Sequence, residues 1–356
     1  MAISQLNSAT TRRVTPSFDD YMQPGVEVIH DVINPGLLVP LSNLMQDSPS
    51  FRLYSIDMLA SCEYLPQELG ECVSESCEVY PIDEEEVPEN IMGVDQSEWR
   101  FDLDGWARWD MPSEDYYDTQ DFPESYTSYD GKEVWEFIHE FIEFPSNTAV
   151  PNSWRLDYNK AVRGLHSSIS AHILRSMKDK MENGENDVSS LRWDDEVERR
   201  IYSQPGAIEN LYFLYMLLLS AVREARVRLI EDCENGSIDK ETSQGLKDLL
   251  EEQFWRGHCD TIDLAANQMR SHGTGEDDTF WKARNRTRDF MRIMNCVQCN
   301  VCKLHGKIAV LGMSTALQIL LGKEGDGVNQ ERIEKLKRVE LAALLTTTGK
   351  VARAVE

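Results

Sequence analysis

The segment with the most chemical content is Cys296-Val-Gln-Cys299-Asn-Val-Cys302. Positions three apart share a helix face, so two thiols at this spacing can meet. A CxxC at a helix N-terminus also has a depressed thiol pKa, which suits a redox couple. Three chemistries compete for such a run. An iron–sulfur cluster of this type needs a fourth cysteine followed by proline. Here Cys302 is followed by Lys303, Leu304 and His305, which speaks against a cluster. Zinc usually takes two CxxC knuckles. The other close pair is Cys72-Val-Ser-Glu-Ser-Cys77, with four residues between, so zinc stays open. The spacing favours redox exchange over zinc, and no metal ligands are assigned.

Cys62, Cys72 and Cys77 lie in a Pro- and Glu-rich stretch closed by Asp83, Glu84, Glu85 and Glu86. Such a stretch cannot bury a core of its own and reads as a mobile acidic loop, about 62–90. A pair there is either a small structural disulfide of an oxidising compartment or a mobile dithiol that carries electrons inward. The first is the more common case, and two pairs in one chain raise the second. Other chemistries lack their motifs. No G-x-G-x-x-G follows a strand and no Walker lysine is present, so neither a Rossmann-bound nicotinamide nor a P-loop nucleotide is expected.

Several residues have a plain structural reading. His166 and His172 lie on or near one apolar helix face and read as core. Trp135 and the run Tyr212-Phe213-Leu214-Tyr215 read likewise. Arg223, Arg226 and Arg228 read as a solvated helix face. Asn235-Gly-Ser237 and Asn285-Arg-Thr287 match the glycosylation sequon, a short pattern common by chance.

These residues need helices to position them. From Lys132 onward the apolar period is helical. Val134, Ile138, Phe141 and Ile142 make one face; Val162, Leu165, Ile169 and Ile173 make another, in a helix ended by Asn183-Gly184. A long buried helix runs from Ile208 to Ile230 and ends near Asn235-Gly236. Leu246, Leu249, Leu250 and Phe254 mark a shorter one. His272-Gly273-Thr274-Gly275 breaks the chain before a helix from about Asp278 to Met294. Val301 to Leu321 is another apolar stretch, and a last helix runs from about Glu331 to Leu345. Breaks of Gly and Asn separate roughly seven helices. Residues 1–50 read as an irregular segment, with a short strand at Phe51 to Leu59. Residues 95–130 read as irregular but packed. The fold class is therefore mainly α: one helical domain over 51–356 with a loop-rich N-terminal third.

Composition narrows the partners. The chain has 356 residues, 36 Lys and Arg against 62 Asp and Glu, and a net charge of -26. Nucleic acid binding draws on Lys and Arg at phosphates, so it is not expected. The longest nearly apolar run, Leu211 to Val222, is too short to span a bilayer as a helix. No apolar h-region appears in MAISQLNSATTRR, so no signal peptide is visible.

The longer context of the cysteines resembles one family closely. Arg292-Ile-Met-Asn-Cys-Val-Gln-Cys-Asn-Val-Cys-Lys-Leu-His-Gly-Lys307 and Leu311-Gly-Met-Ser-Thr-Ala-Leu-Gln-Ile-Leu320 are similar to R-I-M-D-C-V-x-C-x-x-C-R-L-x-G-K and G-L-G-T-A-L-K-I-L of the endoplasmic reticulum oxidoreductins, which are flavin thiol oxidases. Asn210-Leu-Tyr-Phe-Leu-Tyr215, Gly164-Leu-His-Ser-Ser-Ile169 with His172, and Tyr126-Thr-Ser-Tyr-Asp-Gly131 support it, as does the spacing of Cys62, Cys72 and Cys77. The resemblance covers about Phe51 to Leu321.

It implies a helix bundle holding FAD and a place in the endoplasmic reticulum lumen. It implies a route from a reduced protein disulfide isomerase to a shuttle pair, an inner pair, FAD and then oxygen, giving hydrogen peroxide. Carried over by match, Cys72 and Cys77 are the shuttle and Cys299 and Cys302 the inner pair. Cys62 and Cys296 form a structural bridge, while Cys233 and Cys259 have no match. Thr127, Tyr129, Trp135 and His166 match flavin contacts, with Trp135 and His166 on opposite faces of the adenine. Three arginines of the pattern are replaced, by Ser125, Ala207 and Ser220. Arg163 stands where the pattern has serine, three residues before His166, and is expected to restore part of the lost charge. Arg223 is a second candidate. A flavinless, degenerate oxidoreductin acting as a redox-sensitive binding module is the alternative.

Overall fold

Seven helices order the residues that the computed structural model describes: α1 (Lys132–Phe141), α2 (Asn152–Glu182), α3 (Ala207–Glu234), α4 (Leu264–His272), α5 (Asp277–Asn295), α6 (Asn300–Leu321) and α7 (Arg338–Val355). The described residues are 132–182, 206–234, 263–272, 277–295, 300–321, 333–336 and 338–355, with single positions at 197, 201, 204, 244 and 247. No strand occurs among them. The expected strand at 51–59, the acidic loop, the aromatic stretch 95–130 and the helix around Leu246 lie outside them.

The arrangement follows from α3. Leu211 through Val222 are all buried, and Ser220 is 0% exposed. A helix that is apolar all round must be covered all round. Helices α2, α4, α6 and α7 lie against it, and α6 packs on α7. Helix α5 in turn touches α6 and α1. Helix ends fall where the sequence breaks. Helix α2 stops at Glu182 before Asn183-Gly184, and α4 stops at His272 before Gly273. Gly206 has φ +71°, a left-handed value that glycine adopts without a Cβ penalty. It turns the chain sharply into α3, where the Asn210 N–H donates to the Gly206 carbonyl at 2.8 Å.

Two expectations need correction. The last helix is Arg338–Val355, not Glu331 to Leu345. Thr346-Thr347-Thr348-Gly349 has poor helix propensity, but it lies against α6. The Thr347 hydroxyl donates to the Ile308 carbonyl at 3.1 Å, and all three threonines are buried. Tertiary packing overrides the local preference. Arg223 is not on a solvated face: its side chain is 12% exposed and its guanidinium pairs with Asp263 at 2.6 Å and Glu224 at 3.0 Å. The second sequon has its Thr287 at 1% exposure, bonded to the Ala283 carbonyl at 2.9 Å.

Close helix crossings depend on two glycines. A Cβ on Gly164 of α2 would meet the Asn210 carbonyl oxygen and the Leu214 Cβ of α3, and one on Gly312 of α6 would meet Thr347 and the Ala343 carbonyl of α7. In an open helix Gly→Ala stabilises by about 1 kcal/mol. Here Gly164→Ala is expected to destabilise by roughly 1–3 kcal/mol, because backbone and a rigid Cβ must give way. Thermal unfolding of the variant checks this; a raised Tm would show that α2 and α3 do not approach so closely.

Candidate functional site

The site is built where α1 meets α2. Val134, Trp135 and Ile138 form the buried face of α1, continued by Ile142 just after it, and Trp135 is 2% exposed. His139 follows Trp135 by four residues and so lies on the same side. On α2, Arg163 and His166 are one turn apart. The Trp135 and His166 rings stack with centroids 4.2 Å apart and planes within 2°. The Phe290 ring of α5 meets Trp135 edge-on at 5.9 Å. The Trp135 Nε1–H is buried and has no hydrogen-bond partner.

A line of polar contacts runs past the stack. Gln204 Nε2 lies 3.0 Å from His166 Nε2, and His166 Nδ1 lies 3.0 Å from His139 Nε2. His139 Nδ1 is 2.7 Å from Glu143 Oε1. Arg163 grips the same carboxylate with two bonds, Nε to Oε1 at 2.7 Å and Nη2 to Oε2 at 2.6 Å. Burial works against the charge on Glu143. The hydrogen bonds from His139 and Arg163, with their charges, outweigh it and hold the carboxyl below its ordinary value. The bond to Glu143 raises Arg163 against the effect of its own burial.

The turn after α1 is fastened on both sides, which fixes Glu143. Asn159 of α2 accepts from the Phe144 N–H at 2.8 Å and donates to the Phe144 carbonyl at 3.1 Å. Arg286 of α5 donates to the Phe141 carbonyl and, at 3.2 Å, to the Glu143 carbonyl. Its guanidinium also lies over the Phe144 ring at 4.6 Å. A cation at carbonyls left open by a helix C-terminus is favourable.

Comparison with known proteins agrees with the cysteine pattern. The sequence model of Endoplasmic Reticulum Oxidoreductin 1 (ERO1) matches residues 37–356. The chain belongs to this family. Endoplasmic reticulum oxidoreductin-1 of Arabidopsis thaliana is 26% identical over 366 residues, covering 92% of this chain and 76% of the relative. Endoplasmic oxidoreductin-1 of Saccharomyces cerevisiae is 24% identical over 383 residues, covering 95% and 65%. The fold is similar to the solved structure titled Structure of Ero1p, Source of Disulfide Bonds for Oxidative Protein Folding in the Cell. That match has a TM-score of 0.55 at 22% identity and covers 94% of this chain and 96% of that one. It speaks for the shared helical architecture.

Of the positions read from the oxidoreductin pattern, the structure brings Trp135, Arg163 and His166 together. Cys302 stands in the first turn of α6. Cys296 and Cys299 fall between the end of α5 at Asn295 and the start of α6 at Asn300. Those two, with Cys62, Cys72, Cys77, Thr127 and Tyr129, lie outside the described residues. Ser220 and Ala207, where the family pattern has arginine, are buried at 0% and 5% exposure. Both substitute cations are engaged: Arg163 with Glu143, and Arg223 with Asp263 and Glu224. No helix is long and apolar enough to cross a membrane, and no cluster of metal-ligating side chains occurs, among the described residues.

His139, Glu143, Gln204 and Arg286 are the site residues that the sequence reading missed. The His139–Glu143 spacing of four was the available signal. The depressed Glu143 carboxyl makes a test. A group whose folded pKa is lowered stabilises the fold above its unfolded value and loses that effect as pH falls through its folded value. The stability advantage of the unaltered chain over Glu143→Gln should hold above about pH 4.5, the ordinary value. It should shrink below that pH. Unfolding midpoints of both proteins across the acid range measure it, and an advantage that grew on acidification would refute the ion pair.

Proposed function

We propose that the chain is an FAD-dependent thiol oxidase of the endoplasmic reticulum lumen, which makes disulfides by oxidising a protein disulfide isomerase. The observation that carries the reading is the Cys296-x-x-Cys299-x-x-Cys302 sequence, whose last cysteine falls in the first turn of α6, within the stretch that matches the oxidoreductin family. We assign Cys72 and Cys77 to the shuttle on a loop at about 62–90, and Cys299 and Cys302 to the inner pair. Cys62 and Cys296 form a structural bridge. Residues 51–356 act as one unit behind an irregular segment at 1–50.

The chain's own chemistry is thiol–disulfide exchange. A thiolate attacks one sulfur of a disulfide, a mixed disulfide forms, and its second thiol resolves it. Each exchange moves two electrons, and the two protons that leave the oxidised dithiol are matched by two taken up on the newly reduced pair. The partner's dithiol becomes a disulfide and the shuttle becomes a dithiol; the shuttle then passes the same change to the inner pair. Thiols reduce oxygen slowly, so FAD, when bound, supplies the two-electron chemistry that ends in hydrogen peroxide.

The residues present suit a flat ring. Trp135 and His166 offer parallel faces, and the unpaired indole N–H beside them is a donor in need of a partner. Thr127 and Tyr129 are assigned as further contacts. At 4.2 Å the two faces touch. A ring between them requires about 7 Å, two contact separations of roughly 3.5 Å. This closure, and the commitment of Arg163 and Arg223 to carboxylates, supports the second reading: a flavinless oxidoreductin that serves as a redox-sensitive binding module.

One preparation separates the two. The thiol oxidase is expected to be yellow, to release FAD on denaturation and to consume oxygen with a reduced dithiol partner. A colourless, folded, oxygen-inert protein would favour the binding module. Cys72→Ala or Cys77→Ala should abolish oxidation of a protein dithiol while sparing a small reductant that reaches Cys299. Equal loss with both substrates would argue against the shuttle.

The bridge has its own check. Cys62 and Cys296 are 234 positions apart, 296 minus 62. Closing so long a loop stabilises by roughly 5–6 kcal/mol in the chain-entropy account. The double Ala variant should melt lower and transfer more slowly from shuttle to inner pair. Non-reducing peptide maps should show the two cysteines joined. Cys296 joined to Cys299 would overturn the assignment.

A further inference from the structure

Arg163 and His166 of α2, His139 and Glu143 of α1 and the turn after it, and Gln204 form one unbroken line of polar contacts beside Trp135. Hydrogen-bond polarity permits one proton arrangement with both rings neutral. Ionised Glu143 only accepts, so His139 Nδ1 carries a proton. Neutral His139 then accepts at Nε2, so His166 Nδ1 must donate. That leaves His166 Nε2 as an acceptor, and the atom facing it is the Gln204 amide nitrogen, a donor. Each contact fixes the next.

Arg163 stands at the head of this line. An arginine grips an anion bidentately along one edge of its guanidinium. For Arg163 one of the two such edges, Nε with Nη2, is filled by Glu143. The pair carries no net charge, so its pull on a pyrophosphate is largely cancelled.

We propose that Glu143 and Arg163 are positioning residues, which act through His139 to lock His166 in its Nδ1–H tautomer with its ring parallel to Trp135, and that Arg163 serves this ring pair rather than a cofactor phosphate. The inference deepens the thiol-oxidase reading and rests on it only for the cofactor measurement. In metal sites the same device, a carboxylate behind a histidine, fixes tautomer and ring orientation.

The test uses the full chain with 15N-labelled histidine. Ring proton–nitrogen spectra are taken at about pH 8, above the ordinary imidazole value of roughly 6.5. His139 and His166 should each show a proton on Nδ1, assigned by loss of those signals in His139→Phe and His166→Gln. In His139→Phe, which keeps a ring on α1 and removes the acceptor, His166 should move toward the Nε2–H form. Because the locked rings touch at 4.2 Å and must part to admit a flat ring, retention of FAD should rise in both Arg163→Met and Glu143→Gln by roughly three- to tenfold, the worth of one hydrogen bond.

Two results would overturn the proposal. One is His166 protonated on Nε2 in the unaltered chain. The other is tighter FAD in Glu143→Gln with weaker FAD in Arg163→Met, the pattern of a phosphate clamp freed from a competing carboxylate. Absence of any FAD uptake would sink the cofactor reading alone, and the ring spectra would still decide the tautomer.

Discussion

Everything described in this fold depends on the need to cover α3. Its stretch Leu211–Val222 is apolar on every side but for Ser220 and cannot rest at a surface. It draws α2, α4, α6 and α7 around itself, and the terms of that contact decide what the neighbours can present elsewhere. Helix α2 shows this most clearly. Its Gly164 faces Asn210 and Leu214 of α3 with no room for a side chain. With that side of α2 spent on α3, the adjoining residues Arg163 and His166 are left to meet α1. The polar line beside Trp135 is therefore framed by apolar packing on the far side of the same helix.

The line itself shows how a buried carboxylate is tolerated. Glu143 is 6% exposed, and a carboxylate taken from water needs both charge compensation and hydrogen bonds. Arg163 supplies charge with geometry, and His139 supplies a further bond. Removing one partner would leave the other polar groups in place without their match, which is why such networks are costly when half satisfied. The arrangement also keeps the imidazole of His166 from turning. Trp135 holds one face of the ring, while Gln204 and His139 hold its two nitrogens.

Much of the frame was legible because its signals are local. Asn183-Gly184 and His272-Gly273 break helical periods, and the structure ends helices there. The apolar run in α3 and the Tyr212-Phe213-Leu214-Tyr215 stripe read as core, and they are buried. Family identity was legible in the long cysteine segment. What failed was non-local. His139 and His166 are 27 residues apart with no pattern to join them. Arg223 looked solvated because Asp263, its partner, comes from a distant segment. The last helix was expected to stop at Leu345 because what holds the following Thr346-Thr347-Thr348-Gly349 in place lies in α6, at Gly312 and Ile308. Arg163 looked like a free cation because nothing in sequence marks Glu143 as buried. In each case the deciding partner is supplied by another element, so propensity and spacing could not contain it.

Helix α5 has a consequence of a different kind. It is anchored at Arg286, which holds the carbonyl end of α1, and at Phe290, whose edge meets Trp135. Five residues beyond Phe290 the helix ends at Asn295, and the next residue is Cys296. Five residues are about 7.5 Å of rise and a little under one and a half turns. The stretch thus behaves as a ruler. One residue more or fewer would swing the point where the chain departs by about 100° and slide it by 1.5 Å, with every side chain of the ring pair unchanged. Where the thiol segment begins is set by a count of residues, and that count admits no conservative substitution.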